Sequence, residues 1–341
     1  MDLVLGYWIG VFIVSVFFLV KGADWLLYAS ERLGLAIGLP PFIIGVLMVS
    51  LGTSFPELIA SFFAASEGLT EFASANAVGS NLANILLVVG ISALVAGRLT
   101  VTRDLIDVEL PLLAMGTVLF LGVTWNGEII FLEAALMVLV YVIYIFYTFF
   151  HYDEGEREAS PEALPSRKER REQAGSGLVG EAKIDQRKVL LRDLIWFVLG
   201  ALFLFLGSRY LVDSVVGLSE MELMKGLGIS VGVITLLAVA IGTSLPELLV
   251  SIKAALRNKP EVALGNVFGS NAFNMMIVVG LPALFYGASL DEVTYSVGLP
   301  VLGVVTFLFV ISGISRRIHM WEGAFYLVLY VLFVLMLLGV S

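Results

Sequence analysis

A short polar motif occurs twice in this chain, each time inside a long apolar stretch. The motif GTSFPEL at residues 52–58 recurs 190 residues later as GTSLPEL at residues 242–248. A charged side chain at the centre of a membrane helix costs about 2.5–3.5 kcal/mol on insertion scales, and a proline interrupts helical hydrogen bonding. A motif this polar, repeated at matched depth in apolar surroundings, predicts a functional site inside a membrane.

Composition places the chain among membrane proteins that cross the bilayer many times. Hydrophobic residues make up 59% of the sequence, charged residues make up 14%, and the mean hydropathy is +0.97. A soluble domain has about 45–50% apolar and about 25% charged residues. The apolar segments predict an all-α membrane protein with ten transmembrane helices, near residues 5–28, 39–65, 72–96, 106–125, 129–150, 193–214, 228–255, 261–285, 293–314 and 320–340.

The 20 Lys and Arg residues are divided unevenly between the two sides of these segments. Seventeen of them fall in alternate loops, at position 32 and within residues 98–103, 157–192, 253–259 and 316–317. The opposite loops hold Lys225 alone. By the positive-inside rule, we expect both termini to lie outside the cell membrane and the central segment to be cytoplasmic.

A polar segment divides the chain into two halves of five helices. We predict a first repeat at 1–150, a solvated cytoplasmic linker at 151–192 and a second repeat at 193–341. The duplication extends to a second motif, because GSNLAN at 79–84 recurs as GSNAFN at 269–274, again 190 residues later. Since five is odd, the second half enters the membrane in the opposite sense. Secondary transporters place their substrate between such inverted repeats.

Each copy of the first motif offers hard oxygen ligands on one helical face. Thr53 and Glu57 stand four residues apart, and so do Thr243 and Glu247. The proline before each glutamate should kink the helix and release the carbonyl oxygen four residues earlier. Hydroxyl, carboxylate and carbonyl oxygens are the ligands that Ca²⁺ prefers, and nothing soft is present for zinc or copper.

The second motif adds hydroxyl and amide groups. Ser80 and Asn84 are four residues apart, as are Ser270 and Asn274. These groups either ligate a cation beside the glutamates or serve close packing and interhelical hydrogen bonds. Their duplication beside duplicated carboxylates favours ligation. Four other polar residues are interpreted as packing residues: Asn81, Asn271, Ser61 and Ser251.

The two glutamates have no basic residue at their depth, because Lys21 and Arg209 lie toward the ends of helices one and six. A buried salt bridge and a protonated acid in a hydrogen-bond network are the alternatives to ion binding. Two carboxylates without a fixed basic partner need a mobile cation or a proton to neutralise them. We therefore predict that Glu57 and Glu247 coordinate ions.

Two further acids have a different predicted role. Glu133 and Glu322 occupy matching positions at the starts of helices five and ten. A carboxylate at a helix start interacts favourably with the helix dipole, so we expect these residues to cap their helices and to take no part in transport.

The paired motifs, Gly-Thr-Ser-x-Pro-Glu followed in the next helix by Gly-Ser-x-x-x-Asn, resemble the two alpha repeats of the sodium/calcium exchanger family, within the cation/calcium antiporter superfamily. The resemblance covers nearly all of both halves. It implies ion sites between helices 2, 3, 7 and 8, with helices 1 and 6 sliding to alternate the access. It implies as ligands Thr53, Ser54, Glu57, Ser80, Asn84, Thr243, Ser244, Glu247, Ser270 and Asn274. The backbone carbonyls of Ser50 and Ala240 would join them.

One position departs from the family pattern. Members commonly carry an Asp where this chain has Asn274, opposite an Asn such as Asn84. The predicted centre therefore has two fixed negative charges and two amides. Because the potassium-using branch resembles this pattern with an acid at that place, we expect exchange that does not need potassium.

These observations favour a secondary active antiporter in a lipid bilayer that exchanges Ca²⁺ for Na⁺ by alternating access. No nucleotide-binding motif is present, so we expect no ATP use, no cofactor, no enzymatic activity and no nucleic-acid partner. A proton/calcium antiporter would carry H⁺ on the same glutamates, although the Gly-Asn-x-x-Glu-His pattern that resembles that branch is missing. An intramembrane aspartyl protease also needs two acids, but these are Glu beside Pro. The inverted repeat disfavours a channel.

Overall fold

The computed structural model describes residues 2–36, 39, 41–100, 109–159, 186–219, 242 and 244–337. Thr243, Ala240 and most of the predicted segment 228–255 lie outside the described residues, and so do residues 160–185 of the predicted linker. The described part of the chain is almost entirely helical, which confirms the all-α prediction.

Two helices of the N-terminal half include π-helical stretches. The bounds of the helices in this half are α1, Asp2–Ala36; α2, Pro41–Ile43 continuing through π-helical Ile44–Val49 into Ser50–Ser66; α3, Glu71–Ala83 continuing through π-helical Asn84–Val88 into Val89–Ala96; α4, Leu110–Val123 with a 3₁₀ turn at Thr124–Asn126; and α5, Phe131–Ala159.

The C-terminal half repeats this pattern as far as it is described. Its helices are α6, Gln186–Ser219; α7, Leu245–Leu256; α8, Pro260–Phe273 continuing through π-helical Asn274–Val278 to Gly280–Tyr286; α9, π-helical Thr294–Gly298 continuing into Leu299–Ile314; and α10, Met320–Leu337.

Eight of the described helices are long and apolar enough to cross a membrane, which confirms an integral membrane protein with several crossings. The predicted segment 106–125 corresponds to a shorter apolar helix, Leu110–Asn126. Within the predicted segment 228–255, the one helix described is α7. The number of ten crossings therefore stays a prediction.

The helices on both sides of the predicted linker are longer than the apolar pattern indicates. α5 continues to Ala159 and α6 begins at Gln186, so helix extends into both ends of the segment 151–192. Apolar patterning ends where the side chains become charged, but an existing helix propagates through charged residues at little cost. The assignment of residues 151–192 as the linker between the two halves stays a prediction.

Two short antiparallel β-ladders join loops of the two halves. β1 (Arg98–Thr100) pairs with β4 (Arg317–His319), and β2 (Glu128–Ile129) pairs with β3 (Ala288–Ser289). Each ladder connects one loop from the first half to one loop from the second. The two ladders thus connect the halves through backbone hydrogen bonds outside the helical core.

The capping prediction for the two matched acids is confirmed. Glu133 Oε2 accepts the backbone N–H of Ile130 at 2.9 Å, and Glu322 Oε2 accepts that of His319 at 2.7 Å. Each carboxylate satisfies a backbone donor at the start of its helix, where an N–H has no partner inside the helix.

Glycines allow two pairs of helices to approach backbone to backbone. A Cβ atom at Gly200 of α6 would lie 2.5 Å from the backbone nitrogen of Leu26 in α1. A Cβ atom at Gly265 of α8 would lie 2.6 Å from the carbonyl oxygen of Phe42 in α2. Small residues at such contacts are the usual means of close helix packing in membranes. The contact between α2 and α8 brings the GTSFPEL motif at 52–58 against the GSNAFN motif at 269–274.

Candidate ion-binding site

Helices α2, α3, α7 and α8 pack against one another and carry the predicted ligand residues. Nine of the ten predicted ligands lie in the described part of the chain, and all nine are buried: Thr53, Ser54, Glu57, Ser80, Asn84, Ser244, Glu247, Ser270 and Asn274. Thr243 lies outside the described residues. Glu57 is 4% exposed and Glu247 is 1% exposed.

Ser54 links the two halves at the centre of this group. Its Oγ lies 2.9 Å from Oε1 of Glu247 and 2.9 Å from Oγ of Ser270. A serine hydroxyl has one hydrogen and accepts with its lone pairs, so Ser54 can donate to the carboxylate while it accepts from Ser270. One residue of α2 therefore fixes side chains of both α7 and α8.

Thr53 makes the second connection between the halves. Its Oγ1 lies 3.2 Å from the carbonyl oxygen of Ser50 and 3.2 Å from Oδ1 of Asn266 in α8. The single threonine hydrogen can serve either acceptor, so the lone pairs of Oγ1 stay available for a cation. The carbonyl of Ser50, which the family resemblance implies as a ligand, lies in the same contact.

Asn266 is a residue of this site that the sequence reasoning missed. Besides accepting from Thr53, it donates from Nδ2 to Oγ of Ser251 at 3.0 Å and to the carbonyl oxygen of Glu247 at 3.4 Å. In the first half, Asn76 donates in the same way to Ser61 at 3.3 Å. Both asparagines and both serines are matched at the offset of 190, and this signal could have identified them.

The asparagines of the second motif form a separate contact between α3 and α8. Asn84 Nδ2 donates to Oδ1 of Asn271 at 3.1 Å, and Asn81 Nδ2 donates to the carbonyl oxygen of Asn271 at 3.3 Å. The interhelical hydrogen bonds expected of Asn81 and Asn271 as packing residues are present. Asn271, however, also contacts the side chain of a predicted ligand.

Several buried oxygens of the predicted ligands have no hydrogen-bond partner in the part of the chain that the structure describes. Six side-chain oxygens of the predicted ligands lack a hydrogen-bond partner among the described residues: Oε2 of Glu57 and Glu247, Oγ of Ser80 and Ser244, and Oδ1 of Asn84 and Asn274. Each buried and unsatisfied polar atom costs about 1–3 kcal/mol, and more when it is charged. Hard oxygens left in this way are suited to a cation such as Ca²⁺ or Na⁺.

The carboxylates also lack a basic partner. Among the described residues, no Lys or Arg pairs with either glutamate, and the ion pairs that do occur involve Asp24, Glu31 and Asp193. The described part of the chain contains no group of three or more His, Cys, Asp or Glu side chains that could hold a metal. Neutral oxygens must therefore complete any coordination shell around the two carboxylates.

Local backbone features expose polar groups at the site. The π-helical turns of α3 and α8 begin at Asn84 and Asn274, and such turns occur frequently at functional sites. Pro56 lies inside α2, as expected for a kink, but Pro246 lies in the first turn of α7, where a proline needs no N–H. The carbonyl of Gly242, four residues before Pro246, accepts a hydrogen bond from Ser208 of α6.

The sequence matches a family model described as sodium/calcium exchanger protein over residues 7–150 and 193–339. The inner membrane protein YrbG of Escherichia coli is 31% identical over 297 residues, which cover 87% of this chain and 86% of the relative. The sodium/calcium exchanger MaX1 of Methanosarcina acetivorans is 30% identical over 351 aligned positions, which cover 96% of this chain and 97% of the relative.

Solved structures of the sodium-calcium exchanger NCX_Mj share this fold. The form soaked with 2.5 mM Na⁺ and 0.1 mM Ca²⁺ is 27% identical, with a TM-score of 0.72 and coverage of 96% of this chain and 97% of that one. The form soaked without Na⁺ and Ca²⁺ is 26% identical, with a TM-score of 0.73 and coverage of 97% and 98%. By its motifs, its sequence match and its fold, this chain belongs to the sodium/calcium exchanger family.

Proposed function

We propose that this protein is a secondary antiporter that exchanges Ca²⁺ for Na⁺ across a lipid bilayer at one shared centre. The observation that carries the proposal is the pair of buried carboxylates, Glu57 and Glu247, which lack a basic partner among the described residues. They lie in a group of packed helices that also carries unsatisfied neutral oxygens. Such a centre is stable when a mobile cation neutralises it. The names of the relatives, which include a sodium/calcium exchanger, support the same ions.

The charge of the centre explains why the exchange is coupled. Two fixed negative charges are neutralised by one Ca²⁺ or by two Na⁺, and a third Na⁺ would carry net positive charge across the membrane. Both ions need Glu57 and Glu247, so they compete and cannot occupy the centre together. Ion gradients supply the energy, and the centre opens alternately to the two sides.

The ligand set of the proposal is the ten residues that the motifs predict, with the carbonyl oxygens of Ser50 and Ala240. Ser54, Glu247 and Ser270 already form one hydrogen-bonded group. Thr243 and Ala240, which lie outside the described residues, complete the set by their match to Thr53 and Ser50 at the offset of 190.

The proposed architecture is ten crossings in two inverted halves. Three observations support it. The family model matches two ranges separated by residues 151–192. The π-helical turns begin at matched asparagines, Asn84 and Asn274. The two β-ladders are also matched, because each joins the loop after the third helix of one half to the loop after the fourth helix of the other.

The proposed orientation has both termini outside the cell and the central segment in the cytoplasm. It is supported by the basic residues Lys253, Arg257 and Lys259, which pair with acids of α1 at one end of the bundle. Because the chain has no native cysteine, a single Cys at Arg257 should react with permeant reagents alone, whereas a Cys at Asp291 should react with impermeant reagents as well. Impermeant labelling at Arg257 would contradict the orientation.

Flux in reconstituted vesicles tests the function. Vesicles loaded with Na⁺ and diluted into Na⁺-free medium should take up radiolabelled Ca²⁺, without potassium, and an imposed membrane potential should change the rate. A parallel set of vesicles carries a proton gradient and no Na⁺ gradient. Uptake driven by protons and indifferent to Na⁺ would overturn the sodium coupling and favour a proton/calcium antiporter.

A further inference from the structure

We propose that Asn271 is a positioning residue that fixes which end of the Asn84 amide faces the transported cation. Asn271 is outside the set of ligands that the motifs imply, and it lies three residues before the π-helical turn of α8. The inference rests on the proposed function, because it concerns how one ligand of the exchange centre is presented to the ion.

The contact between the two asparagines is buried and directional. Asn84 Nδ2 lies 3.1 Å from Oδ1 of Asn271, and both residues are 0% exposed. The Asn84 nitrogen donates and the Asn271 oxygen accepts. The remaining end of the Asn84 amide, Oδ1, has no hydrogen-bond partner among the described residues.

An asparagine ligand has two ends of opposite polarity. Its oxygen binds a cation, whereas its NH₂ group carries partial positive charge and repels one. If the Asn84 amide rotated by half a turn, its oxygen would lie about 3 Å from the Asn271 oxygen, with no hydrogen between them. Asn271 Nδ2 has no hydrogen-bond partner among the described residues, so presenting its oxygen to Asn84 costs Asn271 no other hydrogen bond. While it does so, the rotated form of Asn84 is disfavoured, and the Asn84 oxygen is the end left for the ion.

The second half of the chain lacks the equivalent contact. Asn81 is matched to Asn271, and Asn274 is matched to Asn84, at the offset of 190. Asn81 donates to the Asn271 carbonyl, and neither Asn81 Oδ1 nor Asn274 Nδ2 has a partner among the described residues. One amide of the centre is therefore oriented by its neighbour and the other is not, which provides a control within the same molecule.

The test compares variants in the Na⁺-driven Ca²⁺ uptake assay. Asn271→Ala removes the acceptor and should raise the half-saturating Ca²⁺ concentration about tenfold, the usual value of one buried hydrogen bond, with little change in maximal rate. Asn271→Asp keeps an acceptor for Asn84 Nδ2 and should restore the half-saturating concentration. Asn81→Ala removes a hydrogen bond to the Asn271 carbonyl and none to Asn84 or Asn274, so it is the matched control and should change the half-saturating concentration less than about twofold.

A second background separates orientation from general support of the fold. Asn84→Asp has a carboxylate oxygen at both ends, so either rotation presents an oxygen to the ion. The Asn271 amide, whose Nδ2 has no partner among the described residues, can rotate to donate to the second oxygen, so orientation is no longer needed. In that background, Asn271→Ala should change the half-saturating Ca²⁺ concentration by less than about twofold. Equal losses in both backgrounds would show that Asn271 has a structural role alone and would overturn the inference.

The outcomes distinguish this inference from the proposed function. If the unmodified protein exchanges Ca²⁺ for Na⁺ and Asn271→Ala does so with an unchanged half-saturating concentration, the inference fails and the function stands. If the unmodified protein shows no exchange, both fail. Size-exclusion profiles of the purified variants check folding. If Asn271→Ala is misfolded, Asn271→Ser, whose hydroxyl is too short to reach Asn84, replaces it in both backgrounds with the same expected losses.

Discussion

Carboxylates are treated in opposite ways at the centre of this protein and at the end of its helix bundle. At the end of the bundle, Asp24 pairs with Lys253 at 2.9 Å and with Arg257 at 2.7 Å. At the centre, Glu57 and Glu247 are almost completely buried and pair with no basic residue in the part of the chain that the structure describes. Burial makes a lone charge costly, so an unpaired acid would be expected at the surface and a paired one inside.

This reversed pattern of charge pairing indicates that the protein binds its ions at the centre. A permanent Lys or Arg beside the glutamates would neutralise them and leave a cation nothing to neutralise. Two acids without a basic partner instead make the stability of the centre depend on the ion that occupies it. Among the described residues, the acids with fixed ion pairs include Asp24 and Glu31, which connect α1 to the loop after α7.

The largest effect is expected at the glutamates. Glu57→Gln or Glu247→Gln removes one of the two fixed charges and should abolish Ca²⁺ uptake, a loss of at least about 100-fold. Thermal stability should be equal or higher, because an uncompensated buried charge disappears. Uptake into vesicles and a thermal unfolding curve of each purified variant provide the measurement.

Glu133→Gln is the control for these two substitutions, because Glu133 caps a helix and lies outside the site. It should leave the half-saturating Ca²⁺ concentration unchanged. If the Glu57→Gln and Glu247→Gln variants both transport Ca²⁺ normally, the ion centre lies elsewhere. The absence of a basic partner at these two glutamates, among the described residues, would then be unrelated to transport.

An intermediate effect is expected at Asn266, which holds Thr53, Ser251 and the Glu247 backbone together without carrying charge. Asn266→Ala should raise the half-saturating Ca²⁺ concentration about tenfold, because a buried network of hydrogen bonds is broken. Concentration dependence of uptake provides the measurement.

Ser251→Ala is the matched control for Asn266, since it removes one contact of that asparagine and leaves its contact with Thr53 intact. A smaller change is expected for this variant. Equal changes for the two variants would show that the contact with Thr53 contributes nothing to ion binding.

The smallest effect is expected at the end of the bundle. Asp24→Asn removes the partner of Lys253 and Arg257, and exposed or half-exposed ion pairs contribute about 0–1 kcal/mol. The maximal rate of exchange should change less than about fivefold, with the half-saturating Ca²⁺ concentration unchanged. Initial rates at saturating Ca²⁺ measure this, with Glu31→Gln as a second variant of the same kind.

A loss at Asp24 as large as the loss at Glu57 would contradict the contrast. It would show that charge pairing at the end of the bundle is as important for transport as the unpaired charge at the centre.

Features that depend on local sequence were predictable. The helix caps at Glu133 and Glu322 follow from position relative to an apolar run, and the structure has both. The offset of 190 between motifs identified pairs of residues before any contact was known, and it also matches Asn76 with Asn266. That pair was missed because its members lie outside the motifs, although the same offset relates them.

Features that depend on distant contacts were not predictable. Nothing in the motif sequence indicates that Ser54 bonds Glu247 of the other half, because 193 positions separate the two residues. The two copies of the first motif also differ in context: Pro56 lies within a helix, whereas Pro246 lies in the first turn of one. Packing of α8 on α2, and not the motif, decides which side chains meet.

The central claim is that the transported cation neutralises two carboxylates that have no basic partner in the described part of the chain. Equilibrium Ca²⁺ binding to the purified protein tests this claim most directly. We expect one Ca²⁺ per chain, displaced competitively by Na⁺, with no Ca²⁺ bound when Glu57→Gln and Glu247→Gln are combined. Ca²⁺ binding that persists in the doubly substituted protein, or that Na⁺ leaves unchanged, would contradict a shared centre formed by these two carboxylates.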